Sequence, residues 1–558
     1  MSSLQPDGLS RPEVSYCPTC AASSPEKGRL TRPGVRSSRK AEFLSVDWPE
    51  AVAKLSTRLA EIVTRYGPSS VGFLGGDLDS EAAYLVSKLI KGSIGSNQTD
   101  SVHGPEIRSA MNAYRGTFGS DACPPCFDDI DNADCVIVWG CNLAATHPEL
   151  AARLETKTQG DSCFRLIEIN SSPASSISDL SIHLRTADAA TIALCNAIGR
   201  LMIETDAIDH RFIAGRTSSF DHFFHFVMRE DLQQLILDSG LDESELRSFV
   251  RLVGQSKNIL SLVTPSFANP ASAAQYQSLM NLHLLTGQLS RPGAGPLLLL
   301  PGANGRGLHE TGLLADELPG YRSIFESCDR AGLETFWDRS HGTISSESSQ
   351  SLVERLQSAD AGDLKALWIT GTDLDELSLD SPAVQKCLGT IELVIIQDSL
   401  DSGPLAQFAD ILLPRTDRSE SSGTQTRDDR HVFRREAKSP APGIALPDWD
   451  IIARVGRAMG FTGFDFRDSA SIWDEYILLT SGRVCDQSGF PSRRIDQAPT
   501  RWPCHDDAQP GEDRLYLDKR FPLAEQRAKF VATRHRQPVA TIASTMPPVI
   551  SSNRYYVH

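Results

Sequence analysis

DWPEAVAKLSTRLAEIVTRYGPSSVGFLGGDLDSEAAYLVSKLIKGSIG, residues 47–95, carries the pattern that decides the fold. Its opening part places apolar residues at helical spacing, VGFLGG (71–76) reads as a buried strand, and DSEAAYLVSKLIKGSIG (79–95) is periodic again. The spacing predicts a second helix over 79–95, with Asp79 or Ser80 as N-cap and Gly92 or Gly95 near its end. Helix, strand, helix is therefore the repeating unit.

Working outward, the alternation continues. CVIVWG (135–140) reads as a strand, HPELAARLETKTQ (147–159) as a helix and FRLIEI (164–169) as a strand. NILSLVT (258–264), LKALWITG (364–371) and LVIIQDS (393–399) are further short apolar runs, of the kind a parallel sheet covered on both faces requires. The expected fold class is α/β, with two doubly wound, mostly parallel sheet domains, one of them discontinuous. The expected divisions are an irregular lead-in at 1–44, a discontinuous α/β domain at 45–140 plus 345–465, an inserted α/β domain at 141–344, and an irregular wrap at 466–558. In such sheets ligands sit beyond the carboxyl ends of the strands, which directs attention to the loops at 139–149, 168–176, 369–376 and 396–403. None of them carries GxGxxG or GxxxxGK[ST], so the common nucleotide fingerprints are absent.

Composition narrows the function. The chain has 558 residues, 40% hydrophobic and 23% charged, as in ordinary globular proteins. At about 150 residues per domain it is long enough for several cores. A formal charge of -16 opposes a nucleic-acid partner. No run reaches the ~18 apolar residues of a membrane span, and the N-terminus lacks an apolar leader, so a cytoplasmic protein without membrane association is expected. The 12 cysteines are scattered through apparent core segments, which speaks against a disulfide framework.

Specific motifs begin with NLHLLTGQLSRPGAGP (281–296) and PGANGRGLHETG (301–312), whose glycines let backbone approach a bulky ligand. They are accompanied, in order, by YRGTFGSDACPPCFDDIDNADCVIVWGCNLAATHPELAARL (114–154), FADILLPRTDRSESSGTQT (408–426), PDWDIIARVGRAMG (447–460) and DRLYLDKRFPLAEQRAKFV (513–531). From about Val46 to His558 the chain resembles the molybdopterin oxidoreductase family, and within it the catalytic subunits of assimilatory nitrate reductases. VISSNRYYVH (549–558) is similar to the opening strand of that family's cap barrel, where the chain stops.

The resemblance implies molybdenum held by two molybdopterin guanine dinucleotides between the two α/β domains, and a small oxyanion, nitrate, reduced to nitrite with electrons from a redox partner. It implies that Asn142, His147, Glu168, Asp188, Gly302, Asn304, Gly307 and Asp398 line the dinucleotide grooves. Read alone, Asn142 could tie a turn, His147 cap a helix ahead of Pro148, and Asp188 serve as an N-cap. The family's strand-end Asp-Pro-Arg stands here as Glu168, Ile169 and Asn170, which keeps an acid for ribose or guanine and loses a cation for phosphate. Its Pro-Gly-Thr-Asp becomes Thr186, Ala187 and Asp188, and a glutamine becomes Gly302.

Two further departures bear on the metals. A [4Fe–4S] cluster takes four thiolates, whereas CPTC supplies Cys17 and Cys20 and Ser24 stands where a third ligand would fall, so the chain is expected to hold a remnant and no complete cluster. Cys123 and Cys126 form a second CxxC in a context similar to the family's Pro-Cys turn. A gapless alignment from Phe118 back through Tyr114 places the molybdenum ligand, a cysteine in the family, at Glu106. Matching His103, Gly104 and Pro105 to a formate dehydrogenase His-Gly-Pro instead places it at Val102, which cannot ligate. Glu106 also suits a plain helix-starting acid behind Pro105. Two functions follow: a nitrate reductase-like molybdoenzyme with Glu106 as catalytic metal ligand, or a cofactor-free homologue or truncated product that keeps the fold as a scaffold.

Overall fold

A computed structural model describes residues 28–76, 78–140, 143–171, 177–187, 190–265, 272–371, 381–400, 404–497 and 500–535. Cys17, Cys20, Asn142, Asp188 and the segment 549–558 lie outside them. Two parallel sheets organise the chain.

The seven-stranded sheet runs Leu44–Ser45, Gly34–Val35, Ile411–Pro414, Leu393–Asp398, Ala366–Thr370, Val71–Gly75, Thr99–Ser101. Five of these strands are parallel, and the first two form an antiparallel edge. In register, Trp368 faces Phe73 on one side and Ile395 on the other. The five-stranded sheet is parallel throughout, in the order Gly295–Leu298, Ile259–Val263, Cys135–Trp139, Arg165–Asn170, Ile182–Arg185. All five residues of Cys135–Trp139 are buried, as expected of a strand covered by helices on both faces.

Several expectations are corrected. Residues 34–44, read as irregular lead-in, supply with Ser45 the antiparallel edge of the first sheet. Cys135–Trp139, assigned to the discontinuous domain, is the central strand of the inserted sheet, because its partners are Ile259–Val263 and Arg165–Asn170. Leu318, Ile324, Leu333, Trp337 and Ile344, assigned to the insertion, pack into the core of the seven-stranded sheet. The C-terminal wrap is not irregular at its start: Asp468 caps a helix over Ser469–Thr480, which sends Trp473 and Tyr476 into that same core. The helix expected over 79–95 is an α-helix only over Ser80–Val86 and then widens to a π-helix over Ser87–Ile94. Two lysines in the widened part are buried; Lys91 Nζ donates to the carbonyls of Gly312, Leu314 and Glu317 at 2.6–2.8 Å. Among the described residues no helix is long and apolar enough to cross a membrane.

Inside the five-stranded unit a polar chain crosses the core. Trp139 Nε1 donates to Ser261 Oγ at 3.0 Å, Ser261 Oγ meets His283 Nε2 at 2.8 Å, and His283 Nδ1 meets Gln288 O at 2.9 Å. Burial lowers the His283 imidazole to about 4, so it is neutral in the folded protein. Its folded value lies below its unfolded one, so its stabilisation is complete above about pH 6.5 and is lost as the pH falls towards 4. Chemical denaturation across that window should show a loss of about 3 kcal/mol that His283→Gln removes.

Candidate functional site

The helix Gly104–Phe118 begins the site. Pro105 sets its first turn, Glu106 supplies the acid favoured there, and Gly119 in left-handed backbone ends it. Glu106 is half-buried, yet its Oε2 is sealed from solvent and has no hydrogen-bond partner. Tyr276, on the helix Ala273–Thr286, lies close enough that burial first and the Glu106 carboxylate second push its phenol up, so it stays neutral. From the other side comes the glycine loop. Gly302 has φ +76°, and a Cβ there would stand 3.3 Å from His103 Cδ2, so only glycine lets this loop lie on the start of the helix. Val102, the alternative ligand position, is an apolar side chain in the core.

The other expected residues divide by what their polar atoms already do. Asn304 Nδ2 donates to Leu78 O at 2.9 Å and Ser80 Oγ at 3.2 Å, and its Oδ1 accepts from Thr426 N at 2.9 Å. A Cβ on Gly307 would overlap Asn304 and Ser80, so Gly307 admits that crossing. Glu168 accepts from Ile177 N at 3.1 Å and Ser181 Oγ at 2.6 Å and so pins the loop after its own strand. His147 precedes the helix Pro148–Gly160, as a capping position would, with Nε2 3.1 Å from Asp428 Oδ2. Asp398 ends the strand Leu393–Asp398 and accepts from Ser399 N at 2.6 Å; burial, opposed by Arg415, pushes its carboxyl up. Asn170, which the family pattern suggests only as a lost cation, is buried with Nδ2 unpartnered.

A cluster of Asp121, His309 and Glu317 brings three ligand atoms within 4.8 Å of one another. The Arg115 guanidinium already donates to Asp121 at 2.5 and 2.8 Å and to Glu317 at 3.2 Å, which makes this a salt-bridge cluster.

The turn Arg427–Arg430, between the strands Gly423–Thr426 and His431–Arg435, went unnoticed as a structural centre in the sequence. The Asp428 carbonyl accepts from Arg306 Nε and Cys123 Sγ, each at 3.0 Å. Burial acts against Asp429, but Arg427 and Arg501 hold its carboxyl well below the usual range. Arg430 donates to the carbonyls of Cys123 at 3.1 Å, Glu512 at 2.9 Å and Asp513 at 2.7 Å, and to that of Trp502. Clustered charges at 427–430 were the available signal; charge runs ordinarily face solvent.

A family model for molybdopterin oxidoreductases matches residues 29–458. The chain is 32% identical over 546 residues to a nitrate reductase of Synechocystis sp., covering 96% of this chain and 76% of that one. It is 28% identical over 544 residues to formate dehydrogenase H of Escherichia coli, covering 95% and 73%. Among solved structures, acetylene hydratase from Pelobacter acetylenicus superposes with a TM-score of 0.69 at 16% identity over 90% of this chain and 70% of that one, a likeness of fold.

Substituting Arg430 by methionine would strand four carbonyls at once, those of Cys123 and Trp502 buried and those of Glu512 and Asp513 part-buried. The expected loss is about 2–5 kcal/mol in urea unfolding, on the scale of leaving two buried carbonyls without donors, with Arg430→Lys intermediate.

Proposed function

The chain belongs to the molybdopterin oxidoreductase family, and from that premise we propose that it is a nitrate reductase. In this reading the loops beyond the carboxyl edges of the two sheets would hold a molybdenum bis(molybdopterin guanine dinucleotide). The observation that carries the reading is the sealed, unpartnered Oε2 of Glu106. A buried carboxylate oxygen without a donor is costly unless a cation meets it, and an oxygen donor suits a hard metal ion.

Around it, His147 and Asp398, with Asn142 and Asp188 beyond the described residues, are the proposed groove contacts, and Gly302 and Gly307, whose missing Cβ atoms make room for His103 and Asn304, are proposed to bring their backbone to the groove. Glu168 and Asn304 act one step back, because their polar atoms hold the surrounding loops. When bound, the molybdenum supplies a two-electron couple able to accept an oxygen atom. The balance is nitrate plus two electrons plus two protons giving nitrite and water, with the electrons drawn from a separate redox partner. Glu106 would hold the metal from the protein side, and neutral Tyr276 adds no second negative charge beside an anionic substrate. A cytoplasmic, assimilatory role completes the proposal.

Glu168 and Asn304 being spent inside the protein favours a second reading, a cofactor-free scaffold. X-ray absorption at the molybdenum edge separates the two. The enzyme reading expects one light oxygen scatterer that disappears in Glu106→Ala, with nitrite production from reduced viologen falling about a hundredfold or more. Glu106→Cys should replace that scatterer by an additional sulfur. An unchanged first shell in Glu106→Ala would remove Glu106 as a ligand, and formate oxidation without nitrite formation would remove nitrate as the substrate.

A further inference from the structure

Two guanidiniums share one indole in the interior. Arg306 Cζ lies 6.0 Å and Arg430 Cζ 5.5 Å from the ring centroid of Trp502, and all three side chains are buried. Among the described residues neither arginine has a carboxylate at ion-pair distance; both are met by backbone carbonyls, which carry no full charge. The acids nearby are engaged elsewhere. Asp121 accepts from Arg115 at 2.5 and 2.8 Å and lies 3.0 Å from His309 Nε2, and Asp428 Oδ2 lies 3.1 Å from His147. Glu310 accepts from Trp502 Nε1 at 2.6 Å, Thr426 Oγ1 at 2.8 Å and Gln487 Nε2 at 2.9 Å. Burial also pushes the Glu310 carboxyl up, which lessens the negative charge it returns to Arg306. A buried charge without a counter-ion is costly, on the order of several kcal/mol.

The two arginines differ in what they leave free. Arg430 places Nε, Nη1 and Nη2 all on carbonyls. Arg306 spends Nε on Asp428 O at 3.0 Å and Nη1 on Asp121 O at 3.2 Å, while its Nη2 has no partner although the residue is 0% exposed. A second such group is the Tyr321 hydroxyl, sealed from solvent and unpartnered, on a ring 6.0 Å from that of Trp502. His309 adds a third, an unpartnered Nδ1 on a ring 4.8 Å from that of Tyr321. Each buried donor left unpaired costs about 1–3 kcal/mol. Water would satisfy such donors and leave the charge uncompensated; an anion does both.

We propose that Arg306 Nη2 and the Tyr321 hydroxyl, with His309 Nδ1 beside them, bind a small monovalent anion of the size of chloride next to Trp502. The anion is the counter-ion that the Arg306–Arg430 pair otherwise lacks. It completes the junction that holds the helix Gly305–Glu310, and it is separate from any anion reduced at Glu106.

Crystals of the full chain grown in sodium bromide test it by anomalous scattering at the bromine edge. A peak is expected within about 3.5 Å of both Arg306 Nη2 and the Tyr321 hydroxyl. In solution, bromide or chloride replacing gluconate at equal ionic strength should raise the urea midpoint of the wild type. Tyr321→Phe removes only an unpartnered hydroxyl, so it should be at least as stable as wild type in gluconate while binding bromide about tenfold more weakly. Arg306→Met should lose the halide response altogether, and if it does not fold, the Tyr321→Phe comparison decides. Water alone at the site in bromide crystals would overturn the assignment, as would an equal halide response in wild type and Tyr321→Phe. Neither result bears on the molybdenum reading, which metal analysis tests separately.

Discussion

Arg430 stands at φ +69° in the turn between two short strands, and its buried guanidinium gathers carbonyls from residues 123, 502, 512 and 513. One cation thus ties together the Pro-Cys turn before the five-stranded sheet and two stretches of the C-terminal wrap. Beside it, the Asp428 carbonyl takes Arg306 from the helix after the glycine loop, and the Asp428 side chain meets His147 from the inserted unit. Fixed-geometry guanidinium donors suit such a junction, because each satisfies several backbone acceptors that would otherwise be buried without partners. The strand Gly423–Thr426 leading into the turn is equally committed, with Thr424 on Glu81, Gln425 on Asp79 and Thr426 on Asn304 and Glu310.

That junction sets where the site can be. It holds the helix Gly305–Glu310 in place, and the loop before that helix lies on the first turn of Gly104–Phe118, where Glu106 is found. The carboxylate is thus positioned by elements of both units, and its unpartnered oxygen is a property of the assembly that neither sheet would produce alone. At the other end of the crevice, Glu168 and Asn170 divide the labour within one strand: one pins the protein, the other has an amide to spare.

The strands were legible because VGFLGG, CVIVWG, LKALWITG and LVIIQDS are short apolar runs that a doubly covered parallel sheet needs. What stayed hidden depends on pairing and not on composition. Cys135–Trp139 would suit either sheet, and only its neighbours place it in the second. Gly423–Thr426 reads as a polar loop, GTQT, because its four buried residues are satisfied by side chains distant in sequence. Glu168 looked like the natural ribose contact, and nothing local shows that Ile177 and Ser181 claim it.

The central claim is that the crevice holds a molybdenum pterin cofactor. Elemental analysis of the full chain, made in a host that assembles the pterin, tests it most directly when combined with release and quantification of the guanine dinucleotide. The account predicts close to one molybdenum and two dinucleotides per chain. A folded chain with neither would contradict it.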